Sequence, residues 1–102
     1  MKFRTIAAAE NHGRVGTITL NNPEKRNAIS IEMRKEISAC LREWKDSEAI
    51  GAVIFTGSGE VFSAGFDLGE FKKPDLYGQI YETSERYHRD IWYFPKPTIA
   101  AV

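Results

Sequence analysis

Apolar positions change their spacing twice within the first sixty residues. In "KFRTIAAAENHGRVGTITLNN" two apolar runs flank Asn11-His12-Gly13, with glycine where a tight turn needs a positive φ. Gly16, Ile18 and Leu20 alternate with Val15, Thr17 and Thr19, the period of a strand with one wet face. The two runs predict an antiparallel hairpin, closed off by the proline-containing turn "NNPEK". From Ser30 the spacing lengthens: Met33, Ile37, Leu41 and Trp44 recur every three or four residues, with Cys40 beside them. Arg34, Lys35, Arg42 and Glu43 are expected on the opposite, solvated side. Ser30 suits the N-cap and Glu32 the first turn, where a carboxylate complements the helix dipole.

"AVIFT" is continuously apolar, which predicts a parallel strand covered by helices on both faces. A second amphipathic helix follows "GEFKKPD", with Tyr77, Ile80, Tyr81, Ser84, Tyr87, His88 and Ile91 on its buried side and Pro95 and Pro97 ending it. "KPTIAAV" then reads as another buried parallel strand. The order is that of an α/β protein with its principal loop at the carboxyl end of a parallel strand, where such folds prefer to bind ligands. An apolar strand running to Val102 without a turn residue suggests that 1–102 is part of a larger domain.

Composition narrows the function classes. Fourteen basic residues balance fourteen acidic ones, and the basic residues are scattered, which argues against a nucleic-acid partner. The apolar runs are too short to span a bilayer, so no membrane partner is expected. One cysteine, Cys40, excludes an internal disulfide, reads as a buried inert thiol, and fits a reducing, cytoplasmic location. His12 at the hairpin tip reads as solvated, and His88 as a packing residue.

The chemically distinctive stretch is "VIFTGSGEVFSAGFDL", residues 53–68. It lacks the Lys-Ser/Thr of a phosphate loop, and phenylalanine stands where a dinucleotide fingerprint needs its third glycine. No His/Cys cluster has metal-ligand spacing, and Ser63, outside a nucleophile elbow, makes a poor triad with His88 and Asp67. Two readings remain open from residue chemistry. The small residues either make a tight turn, or they bare backbone N–H groups to hold an anion such as a thioester-derived oxyanion.

"TLNNPEKRNAIS", "VIFTGSGEVFSAGFDL" and "KPTIAAV", in that order and spacing, resemble the crotonase superfamily of enoyl-CoA hydratases and isomerases. The resemblance implies a ClpP/crotonase-like spiral of ββα units, here its amino-terminal part over residues 1–102, and an intact protein that forms trimers or hexamers. It implies an acyl-CoA substrate in fatty acid metabolism, with coenzyme A as part of that substrate, no tightly bound cofactor and no metal. By position, Lys25 or Arg26 would lie near phosphate and Ala28 against the pantetheine arm. Ala64 would meet the adenine end of the cofactor, beside Gly65, and Leu68 would sit by the acyl entrance. Phe66 matches the family position whose backbone N–H is the first oxyanion donor, with Asp67 fixing the loop.

The family's second donor and its acid–base carboxylates match nothing in the chain; Glu60, Glu70, Glu82 and Glu85 do not stand at those positions. The isolated chain is therefore expected to be inactive. The alternatives are a non-catalytic fragment or complementing half, or another crotonase chemistry: dehalogenation, decarboxylation or C–C cleavage of an acyl-CoA.

Overall fold

The computed structural model describes residues 2–102. Its order is β1 (Ile6–Asn11), β2 (Val15–Leu20), α1 (Ile31–Lys45), β3 (Ala52–Gly57), α2 (Tyr77–Trp92) and β4 (Thr98–Ala100). The four strands form one sheet in the order β1-β2-β3-β4. β1 pairs antiparallel with β2, and β3 pairs parallel with both β2 and β4. The hairpin turn falls one residue later than expected, at His12–Arg14, with both Gly13 and Arg14 at positive φ. Arg14 tolerates this because its carbonyl is held by the Gly51 N–H at 2.6 Å, tying the turn to the entry of β3.

Alternation in β2 is realised as expected: Gly16, Ile18 and Leu20 are buried and the intervening residues half-buried. Gly16 is required by packing, since a Cβ there would overlap the Trp44 ring of α1. The stripe Met33, Ile37, Cys40, Leu41 and Trp44 lies on Ile18, Leu20, Val53 and Phe55, and Tyr87 of α2 joins the same core. The Ser30 hydroxyl accepts from the Met33 N–H at 3.1 Å, the expected cap. At the other end the Lys96 ammonium donates to the Trp44 and Ser47 carbonyls, each at 2.7 Å, putting a cation on the negative end of the α1 dipole.

Four expectations need correction. β3 is not covered on both faces: Val53 and Phe55 are buried but Ile54 is only half-buried, because the core of α1 and α2 side chains lies against the Val53/Phe55 face. β4 is exposed along its length rather than buried, as an edge strand with no neighbour beyond it among the described residues. Arg34, assigned to the wet side of α1, is 1% exposed, because α2 packs over that flank and widens the buried arc. The α2 face is rotated in consequence. Ile80, Thr83 and Tyr87 are buried, while Tyr77 and Tyr81 remain 52% and 65% exposed and His88 is exposed too.

The loop after β3 is fastened to the turn after β2 by one fully buried side chain, Asn27. Its Oδ1 accepts from the Asn22 N–H at 2.8 Å, and its Nδ2 donates to the carbonyls of Ser58, Val61 and Phe62 at 2.9 to 3.2 Å. Only a carboxamide offers an acceptor and two donors on one short stem. Its backbone sits at φ 54, a conformation asparagine tolerates better than most residues. Gly57 completes the fit: a Cβ there would overlap the Phe62 carbonyl oxygen.

Asn27→Ala strands several buried polar groups and is expected to lower stability by about 3 kcal/mol, read as a fall in urea midpoint at unchanged slope. Asn27→Gly should recover less than about 1 kcal/mol of that loss, because it relieves only the left-handed strain. The Cys40 thiol is pushed up to about 12 by burial, with Glu43 adding to the effect. Stability from keeping that thiol neutral is present in full below its ordinary value of 9.0 and is lost as the pH rises toward about 12. A disulfide reagent at pH 8 is therefore expected to titrate one thiol only after denaturant is added.

Candidate active site

Two segments meet beyond the carboxyl ends of β2 and β3: the turn 22–30 and the loop 57–67. The Arg26 carbonyl accepts from the Ala64 N–H at 2.9 Å, and the Asn27 carbonyl from the Ser63 hydroxyl at 2.7 Å. That hydroxyl in turn accepts from the Gly65 N–H at 3.0 Å. Ile29 then forms an isolated parallel bridge with Phe66. Its N–H donates to the Gly65 carbonyl at 2.7 Å, and its carbonyl accepts from the Asp67 N–H at 3.2 Å.

A residue bridged in this way has its neighbours' polar groups turned toward the partner and its own turned away. Phe66 is that residue. The amides of Ala64, Gly65 and Asp67 are all taken up, while the Phe66 N–H has no hydrogen-bond partner among the described residues. Gly65 makes the turn possible at φ 94; a Cβ there would meet no atom, so the requirement is conformational rather than steric. After Phe66, Asp67 Oδ1 accepts from the Gly69 N–H at 2.9 Å, closing a short turn.

The Phe66 ring anchors the loop in an aromatic cluster. It lies 6.5 Å from the rings of Phe71 and Tyr87 and 6.1 Å from that of His88. The Arg34 guanidinium carbon stands over the ring, 4.6 Å from its centroid. Burial lowers the pKa of Arg34, partly offset by Glu70, and burial raises that of Tyr87 against the pull of Arg34. Phe66 also walls an open groove of about 700 Å³ with Phe71, Tyr77, Ile80 and Tyr81. One residue, Phe66, thus carries both an unengaged backbone donor and part of the wall of an apolar groove, the two features an oxyanion attached to an apolar group would need.

The other predicted site residues are placed as follows. Lys25 and Arg26 are exposed and form no ion pair among the described residues. Ala28 is half-buried, Ala64 is exposed, and Leu68 is 74% exposed. Ser63, His88 and Asp67 form no triad: the Ser63 hydroxyl serves the backbone, and His88 Nδ1 lies 2.8 Å from the Ser84 carbonyl. Among the described residues no group of three or more His, Cys, Asp or Glu is placed to hold a metal, and no helix is long and apolar enough to cross a membrane.

Sequence reasoning missed Asn27, Arg34 and Glu70. Both Glu70 carboxylate oxygens accept from the Ile31 N–H, at 3.0 and 3.1 Å, so this acid serves the start of α1. Its signal was faint, an acid thirty-nine positions from the helix it caps.

Comparison with known proteins identifies the family and the fold. The chain is 36% identical over 99 residues to a probable mitochondrial enoyl-CoA hydratase of Dictyostelium discoideum, covering 94% of this chain and 35% of that protein. It is 32% identical to the hydroxycinnamoyl-CoA hydratase-lyase of Pseudomonas fluorescens, covering 99% and 39% respectively. An enoyl-CoA hydratase/isomerase structure from Xanthobacter autotrophicus Py2 superposes with a TM-score of 0.88 at 37% identity, over 99% of this chain and 39% of that one. The chain thus spans well under half the length of the relatives it matches, and over that span it has the crotonase fold. The enoyl-CoA hydratase/isomerase family model matches residues 10–102, and the chain belongs to that family.

Proposed function

We propose that this chain supplies one donor of an oxyanion hole that stabilises a thioester enolate in an acyl-CoA hydratase or isomerase. The observation that carries this reading is the unengaged Phe66 N–H, flanked by amides that are all paired. When water adds across a conjugated enoyl group, or when a proton leaves the α-carbon, negative charge moves onto the thioester oxygen. A fixed amide aimed at that oxygen stabilises the charge without reorganising, and losing one such donor typically costs about 10²–10³ in rate.

In this reading the exposed Lys25 and Arg26 meet the phosphates of coenzyme A and Ala28 lines the pantetheine arm. Ala64 approaches the adenine end, and Leu68 borders the acyl entrance. Residues 1–102 are the amino-terminal part of the crotonase-fold domain. The second donor, the acid–base carboxylates and the trimeric or hexameric assembly involve parts of the fold outside these residues. A reducing compartment suits the single buried thiol, whether the cytoplasm or the mitochondrion in the name of the Dictyostelium relative. A second reading keeps the site and enlarges the substrate to an aryl acyl-CoA, favoured by the aromatic wall that Phe66, Phe71, Tyr77 and Tyr81 give the groove.

Calorimetric titration with crotonyl-CoA, cinnamoyl-CoA and S-butyl-CoA tests both readings. The thioether S-butyl-CoA lacks the carbonyl oxygen and is expected to bind about fivefold more weakly than crotonyl-CoA, the worth of one hydrogen bond. Equal affinity for the two contradicts the donor role of Phe66. Tighter binding of cinnamoyl-CoA than of crotonyl-CoA selects the aryl reading.

A further inference from the structure

We propose that Arg34 is the positioning residue that holds the Phe66 amide in its donor orientation. The proposal rests on reading that amide as a donor, and it assigns a task to the one fully buried cation of α1. The guanidinium reaches three elements at once. Its Nε donates to Thr83 Oγ1 of α2 at 3.0 Å, and its Nη1 donates to the Ile29 carbonyl at 2.9 Å. Its Cζ stands 4.6 Å from the Phe66 ring centroid, within the range of a cation–π contact.

The Ile29 carbonyl is the decisive partner. It is the same oxygen that receives the Asp67 N–H, so Arg34 steadies the bridge that turns Phe66 outward. The ring contact holds the side chain of the same residue. Phe66 is therefore gripped through its backbone and through its ring by one cation. Thr83 fixes that cation from beyond and is itself tied to the Gln79 carbonyl at 2.7 Å.

Packing alone does not call for arginine here. A buried charge is costly to desolvate, and an apolar side chain of similar length often stabilises a core as well or better. Nη2 makes no hydrogen bond, and Glu70 is 3.9 Å away, too far to satisfy it. Removing the cation strands none of its partners. The Ile29 carbonyl keeps the Asp67 N–H, Thr83 keeps the Gln79 carbonyl, and Glu70 keeps the Ile31 N–H. Arg34→Met should therefore fold with a urea midpoint close to that of the unaltered chain while loosening Phe66. A purely structural arginine would give the reverse pattern.

The test is ¹⁵N NMR of the 102-residue chain with and without Arg34→Met and Arg34→Lys, with no acyl-CoA present. Its result is thus independent of whether the amide ever meets a thioester. In the methionine variant the Phe66 order parameter is expected to drop from the rigid value of about 0.85 to below about 0.6. The Asp67 amide should exchange roughly tenfold faster, as expected when its acceptor loses a charge-assisted bond. Lysine keeps the charge but not the planar fork, and is expected to fall between the two. A folded methionine variant whose Phe66 shift, order parameter and Asp67 exchange are unchanged overturns the proposal. Should that variant not fold, the lysine variant decides on the same readings, and an unchanged Phe66 there overturns it equally.

Discussion

The bridge between Ile29 and Phe66 is the constraint on which the site depends. By accepting from one neighbour of Phe66 and donating to the other, Ile29 consumes the polar groups that face inward and leaves the Phe66 N–H facing out. An amide left unpaired in a folded loop is ordinarily a loss, because water must be stripped from it or a partner found. Here the amides next to it, Ala64, Gly65 and Asp67, are all paired, and the Phe66 N–H stands unpaired among them. The arrangement is local, yet it needs two segments more than thirty residues apart to lie in register.

That register is secured at three levels. Asn27 stitches the turn to the loop through three hydrogen bonds and braces the turn with a fourth, in a site that excludes water, where each is worth more and its absence costs more. Gly57 and Gly65 permit the close approach and the left-handed turn that bring the bridge together. The N-terminus of α1, capped by Ser30 and met by Glu70, fixes the end of the 22–30 segment to a rigid helix. Backbone on a helix terminus is better defined than backbone on a free loop, which suits a donor whose value lies in being already in place.

Much of this scaffold is written in short-range patterns. The period-two alternation of β2 and the three-and-four spacing of α1 are local consequences of which face is buried, so they identify both elements and most of the core. Arg34 could not be found that way. Its flank of α1 is buried only because α2 lies over it, and the sequence of α1 carries no trace of that neighbour. The stripe of α2 is similarly wide, running from Tyr77 to Ile91, and only packing decides that Ile80, Thr83 and Tyr87 form its buried edge. Thr83 reads as polar, yet it is buried because its hydroxyl has both an arginine and a carbonyl to bond. The glycine-rich loop was legible as unusual backbone, open to either a tight turn or an anion site, and only the family resemblance singled out the Phe66 N–H within it. Which amide stays free is a matter of partners contributed by residues 26 to 29, and no composition of residues 57 to 67 encodes them.

The most direct measurement is amide hydrogen exchange at Phe66, followed residue by residue in the free chain and again with saturating acyl-CoA. The expected pattern in the free chain is fast exchange at Phe66 between protected amides at Ala64 and Asp67, with Phe66 slowing when the thioester is added. A Phe66 amide already protected in the free chain, or one whose exchange is indifferent to a bound thioester, would contradict the central claim.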